Sequence, residues 1–166
     1  MDGGHRVLTF LVDANVLIDL GMVQGLDLLP RLDDSEVLDV VLLECKQPID
    51  LAEQIIATRI QEIESQIEWI TNAKSFKTGR LSTQDILNFY YAKAFHRTLL
   101  TNEKPLRSLC QREGVRVHGL LWVIEQAHQL QLEPPDCLCQ WLLRLEQTGS
   151  RFPSQELATL RKFLQC

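Results

Sequence analysis

The 166-residue chain is short of positive charge: 17 Lys and Arg stand against 22 Asp and Glu, a net charge of −5. Broad electrostatic capture of nucleic acid draws on counterion release by many Lys and Arg, so an acidic chain is a poor candidate for it. Long apolar runs are also missing. Nothing approaches the roughly 20 residues of a membrane-spanning helix, and MDGGHRVLTFLVDAN offers only about six apolar residues before Asp13, too few for a signal-peptide core. The expected location is therefore the cytoplasm, with no membrane association. The five cysteines are an odd number, scattered and without a C-x-x-C pair, and are expected to be reduced, mostly buried thiols. Cys137 and Cys139, with His128 upstream, are too closely spaced for an ordinary structural zinc site. Internal repeats and low-complexity segments are absent as well.

What is present is an ordinary globular composition, 45% hydrophobic and 23% charged, which suits one compact domain with a small appendage. Short apolar runs alternate with amphipathic stretches. RVLTFLV (6–12), VLDVVLL (37–43), QIEWIT (66–71), RTLLT (97–101) and the run at 115–117 are predicted strands. Helices are predicted over 15–20, 25–32, 51–65, 103–113 and 120–131. Another begins after Ser82 and runs to about residue 95, with Asp85 placed as in a capping box. A surface loop is expected over 72–79. Strand–helix alternation of this kind predicts a three-layer α/β/α fold on a central parallel sheet. After Pro134 the pattern becomes purely helical, with helices to about Leu145 and from Ser154 to Leu164, read as a helical extension (132–166) packed on the body (1–131).

The strands end in acids. Asp13 closes the first and Glu44 follows the second. Asp85 opens the helix after the third, and Asn102 and Glu103 follow the fourth. Ligands of open parallel sheets bind at the carboxyl ends of the strands, so these groups are expected to converge there. Gathered carboxylates repel one another unless a cation neutralises them. An all-oxygen set suits Mg²⁺ or Mn²⁺, which activate water and stabilise the leaving oxygen of a phosphodiester. Taken singly, Asp85 is also explained as a capping acid, Glu103 as an acid at a helix start and Glu44 as a solvated surface group. Asp13 is the strongest candidate, because a carboxylate directly behind a buried strand is costly to solvate. Asp19 reads equally as a supporting residue or a solvated one.

VDANVLIDL, LSTQDILNFYYAK and LLTNEKPLR, with Glu44 in VVLLECK, together resemble the motifs of the PIN domain family, in particular its VapC-like toxins, over about residues 6–131. The resemblance implies a metal-dependent endoribonuclease in which Asp13, Glu44, Asp85 and Glu103 form an acidic quartet. Asp13, Asp85 and Glu103 would hold Mg²⁺ or Mn²⁺, supported by Asn15, Thr101 and Asn102. It also implies an RNA substrate, a small antitoxin partner and a homodimer. Many relatives carry Asp where this chain has Glu103, and the extra methylene moves that carboxylate about 1.5 Å. A catalytically weak RNA- or protein-binding scaffold is the alternative. Lys46, Lys93, Lys104 and Arg107 are candidate phosphate contacts, each equally readable as a solvated cation. Tyr90 and Tyr91 are expected mainly to pack, and His96 and His118 to be structural.

Overall fold

The computed structural model describes residues 8–166; residues 6 and 7 of the first predicted strand lie outside the described residues. Five strands, β1 (Thr9–Val12), β2 (Asp34–Leu38), β3 (Gln61–Ile63), β4 (Thr98–Leu100) and β5 (Val117–His118), form one sheet in the order β3-β2-β1-β4-β5. Every neighbouring pair is parallel. Phe10, Leu11 and Val12 are buried in the central strand, as a strand covered on both faces requires. Helices on the two faces complete the three-layer α/β/α architecture.

The helices are α1 (Ala14–Met22), α2 (Leu28–Leu32), α3 (Asp39–Leu42), α4 (Leu51–Ala57), α5 (Ile67–Ala73), α6 (Thr83–Ala94), α7 (Lys104–Arg112), α8 (Leu120–Gln129), α9 (Pro135–Gln147) and α10 (Ser154–Leu164). Several expectations are corrected. The second strand starts three residues earlier than expected and stops at Leu38. Asp39 Oδ1 accepts from Val40 N at 2.7 Å and from Ser65 N and Oγ at 3.1 and 2.6 Å, which turns the chain into α3. Glu36 sits buried inside that strand because Arg97 Nε donates to it at 2.7 Å and Tyr91 Oη at 3.0 Å. A paired charge of this kind does not show in a hydropathy pattern.

The helix expected over 51–65 ends at Ala57. Thr58 Oγ1 donates to Ile55 O at 2.6 Å and accepts from Ile60 N at 3.2 Å, and this turn releases the edge strand β3. The strand expected over 66–71 is instead α5. Its buried Trp69 and Ala73, four apart, share a helix face, and Trp69 lies 5.3 Å from the Tyr91 ring of α6. The loop expected over 72–79 contains a 3₁₀ turn at Lys74–Phe76. The last strand is shifted, Val117–His118 rather than 115–117.

The cysteine expectation is also corrected: Cys139 of α9 is disulfide-bonded to Cys166, while Cys45 and Cys110 are buried thiols. Leu138, Trp141, Leu142 and Leu145 of α9 and Leu157, Leu160 and Leu164 of α10 belong to the same buried core as the sheet. Trp141 lies directly over Gly25, where a Cβ would stand 2.6 Å from Cη2. Among the described residues, no helix is long and apolar enough to cross a membrane.

Candidate active site

The sheet places one position above all others. From β1 the chain moves first to β2 on one side, and β4 later joins the other side, so the strand order reverses at the β1–β4 border. The loops leaving the two strands there part in opposite directions and open a crevice. Asp13 follows β1 and Thr101 follows β4 at this border, and Asp13 N donates to Leu100 O at 2.9 Å.

Asp13 is 4% exposed and is the N-cap of α1. Its Oδ1 accepts from Ala14 N at 2.9 Å and Asn88 Nδ2 at 3.1 Å; its Oδ2 accepts from Thr101 Oγ1 at 2.7 Å and Asn15 Nδ2 at 3.2 Å. Such donors favour the ionised form, yet burial outweighs them. Desolvation pushes the carboxyl up to about 6, the bonds from Thr101 and Ala14 oppose it, and the charges of Asp85 and Glu44 add to it.

The other acids arrive by separate routes. Glu44 is exposed and is carried there by α3 rather than directly by β2, since Asp39, the first acid after that strand, is held by Ser65. Partial burial raises the proton affinity of Glu44, and the charges of Asp85 and Glu103 raise it further. Asp85, half-buried, serves the capping box: its Oδ2 accepts from Ser82 N at 2.9 Å while Ser82 Oγ accepts from Asp85 N at 3.0 Å. Glu103 is the N-cap of α7; its N donates to Thr101 Oγ1 at 3.1 Å, and its Oε1 lies 3.5 Å from Asn15 Nδ2. Asn15 Oδ1 accepts from Asn102 N at 3.1 Å, and Asn102 Oδ1 accepts from Leu120 N at 2.9 Å, which ties the start of α8 to the same rim.

Asp13 thus stands near enough to feel the charges of Asp85 and Glu44, and Glu44 those of Asp85 and Glu103. Among the described residues, however, no three His, Cys, Asp or Glu side chains close into a ready ligand cage. This open, all-oxygen arrangement fits Mg²⁺ or Mn²⁺, which typically take one or two carboxylates and keep several waters. It does not fit zinc, which favours nitrogen and sulfur and closed tetrahedral sites. The raised proton affinities of Asp13 and Glu44 are the repulsion and desolvation that a cation would relieve.

The candidate cations divide. Lys46 is exposed just beyond Glu44, Lys104 begins α7 beside Glu103, and Arg107 lies one turn further along α7. Lys93 is not with them. It lies eight residues beyond Asp85 on α6, about 12 Å along the axis, and its Nζ pairs with Glu113 at 3.2 Å, towards the opposite rim. Tyr91 is bound to Glu36, and Tyr90 Oη accepts from Asn72 Nδ2 at 3.0 Å, so both pack. Asp19 is half-buried and accepts from Ser150 Oγ at 2.9 Å, which joins α1 to the α9–α10 link. His96 is exposed in a left-handed turn at φ 57°, and His118 stacks on Trp122.

Sequence reasoning missed Asn88. It is fully buried, donates to Asp13, and leaves its Oδ1 as a buried oxygen with no hydrogen-bond partner. Its signal is an amide three residues after Asp85 in the otherwise apolar ILNFYYA, and that spacing returns it to the Asp85 face of α6.

Known proteins agree with the geometry. The DUF3368 family, described as a PIN domain, matches residues 9–165. Among solved structures, the crystal structure of PAE2754 from Pyrobaculum aerophilum has a TM-score of 0.56 at 14% identity, covering 74% of this chain and 99% of that one, a likeness of fold. No curated protein matches the chain by sequence. With the family match running through nearly the whole length and a parallel sheet that brings its acids to one rim, the chain belongs to the PIN domain family, whose members are generally nucleases and usually use divalent metal ions.

Proposed function

We propose that this protein is a Mg²⁺- or Mn²⁺-dependent endoribonuclease of the VapC toxin type, a cytoplasmic homodimer restrained by a small antitoxin. The observation that supports the reading best is Asp13: a buried carboxylate at the strand-order reversal, held by four donors, with Glu44, Asp85 and Glu103 close enough to raise its proton affinity or one another's. A charge so costly to bury is retained where it has a cationic partner.

In this reading Asp13, Asp85 and Glu103 would hold the metal, which would polarise the phosphodiester and lower the pKa of water. Thr101, Asn15 and Asn88 keep both Asp13 oxygens aimed into the crevice. Glu44, exposed and with raised proton affinity, is suited to take the proton of the attacking water. A water oxygen–phosphorus bond forms while the bond from phosphorus to the leaving ribose oxygen breaks, and that oxygen is protonated from solvent. Lys46, Lys104 and Arg107 contact flanking phosphates.

The test is incubation of purified protein with single-stranded and structured RNA across a Mg²⁺ and Mn²⁺ series. Cleavage that disappears in Asp13→Asn and in Asp85→Asn is the expected result, and RNA left intact throughout overturns the reading. The toxin role predicts growth arrest on expression, relieved by a co-expressed antitoxin. Two observations favour a silent scaffold instead: Asp85 is already engaged by Ser82, and among the described residues no three acids form a cage. Calorimetry separates the two, because only an active site should lose Mn²⁺ binding when Asp13 becomes Asn.

A further inference from the structure

The helices beyond the acidic rim do more than cover the core. Between α8 and α10 runs an open groove of about 500 Å³, within the size range of small-ligand sites. His118 and Trp122 line it as a flat pair, ring centroids 3.9 Å apart and planes 7° from parallel. Phe163 of α10, 48% exposed, also faces it. The polar lining consists of Arg107, Gln155 and Thr159 with two carboxylates, Glu125 and Glu156.

This groove adjoins the acids through one residue. A Cβ on Gly119 would stand 2.8 Å from Asn102 Oδ1 and 3.3 Å from Arg107 Nη1, so the rim residue and the groove cation meet at that glycine. Thr101 N donates to His118 O at 2.9 Å, which joins the same two regions along the sheet. A cavity of similar size on the opposite rim lacks such a link, and its Lys93 and Arg97 are already paired with Glu113 and Glu36.

We propose that the groove is a nucleobase subsite for single-stranded RNA, holding a base beside the phosphate that lies at the acidic rim, with Arg107 at the junction neutralising the intervening phosphate. The inference rests on the nuclease reading and adds substrate selection to it. Aromatic rings accept any base by its face; Glu125 and Glu156, as carboxylates, can only accept hydrogen bonds and so select base edges that offer donors. They favour an exocyclic amine, as a carboxylate does with the N4 amine of cytosine, and disfavour uracil, whose N–H lies between two carbonyl oxygens. The C-terminal helix α10 thereby becomes part of the substrate surface.

The test measures binding of fluorescent C-, A- and U-decanucleotides to the full chain with chelator present, and separately maps cleavage sites with Mn²⁺. C- or A-decamers should bind more tightly than U-decamers. Trp122→Leu should weaken that binding about ten-fold, the scale of one lost base stack. Because Trp122 also packs against Phe10, 5.9 Å away, a second variant, Thr159→Trp, fills the groove from an exposed helix position. It should raise KM for RNA more than it lowers kcat and erase the base preference.

RNA cleaved by wild type and Thr159→Trp with the same preference and KM overturns the groove and leaves the nuclease reading standing. Trp122-dependent binding of C-decamers without cleavage in any metal supports the groove and overturns the nuclease. Loss of self-association in Thr159→Trp with RNA binding unchanged would give the groove to a second copy and overturn the proposal.

Discussion

Thr101 Oγ1 donates at 2.7 Å to Asp13 Oδ2, 88 residues earlier in the chain, and accepts from Glu103 N at 3.1 Å, so one hydroxyl fixes two candidate ligands at once. Thr101→Val keeps the shape and removes both bonds together with the longer one that Asn15 Nδ2 donates to the same hydroxyl at 3.4 Å. Leaving a buried carboxylate and an amide short of a partner is expected to cost about 1–3 kcal/mol, read by urea denaturation. Thr101→Ser should recover most of it. Equal stability of Val and wild type would show that the hydroxyl does not anchor the rim.

The sign of the pH dependence follows from Asp13. Its folded-state value of about 6 lies above the ordinary 3.8, so the folded chain holds the proton more tightly than the unfolded one. Its contribution to stability is present below the ordinary value and is withdrawn as pH rises through about 6. With chelator present, Asp13→Asn should therefore stabilise the fold at pH 8, by about 1–2 kcal/mol after allowing for an amide that cannot accept from every donor. Thermal melts at pH 4 should show no such gain. A variant less stable than wild type at pH 8 contradicts the assignment of burial as the dominant cause.

Asn88→Leu separates support of the site from packing. The substitution fills the same space, removes the donor to Asp13 Oδ1 and also removes the unpartnered Oδ1. Stability should change by less than about 1.5 kcal/mol. Mn²⁺ affinity, measured by calorimetry, should fall about 10- to 100-fold, as when other residues behind a metal ligand are lost. Unchanged affinity would make Asn88 a packing residue only.

Gly25→Ala probes the attachment of the C-terminal helices. The new methyl would meet Trp141 of α9 at 2.6 Å, and the indole is buried among Leu138, Leu142 and Leu145. Displacing it is expected to cost about 1–3 kcal/mol. A melt identical to wild type would mean that α9 yields without loss.

The acids at the ends of β1 and β4, the capping box at Ser82 and the helices α6 to α10 were legible because each depends on neighbours close in sequence. Apolar period, proline and cap chemistry act within a turn or two. Local pattern failed where a distant partner changed the cost of a residue. Glu36 enters β2 only because Arg97 neutralises it, and Asp39 ends that strand only because Ser65 is there to bind it. QIEWIT alternates like a strand, yet Trp69 gains more by facing Tyr91 as part of a helix.

By itself, then, the sequence determined a parallel α/β body, a carboxylate behind each of several strands and a helical C-terminal segment. Tertiary structure alone decided that Lys93 lies away from the acids, that Asn88 grips Asp13, and that α10 completes a groove beside Gly119. The reason is geometric: the side to which a strand adds, and the face that a helix turns inward, are set by contacts between residues far apart in the chain, and no local period encodes them.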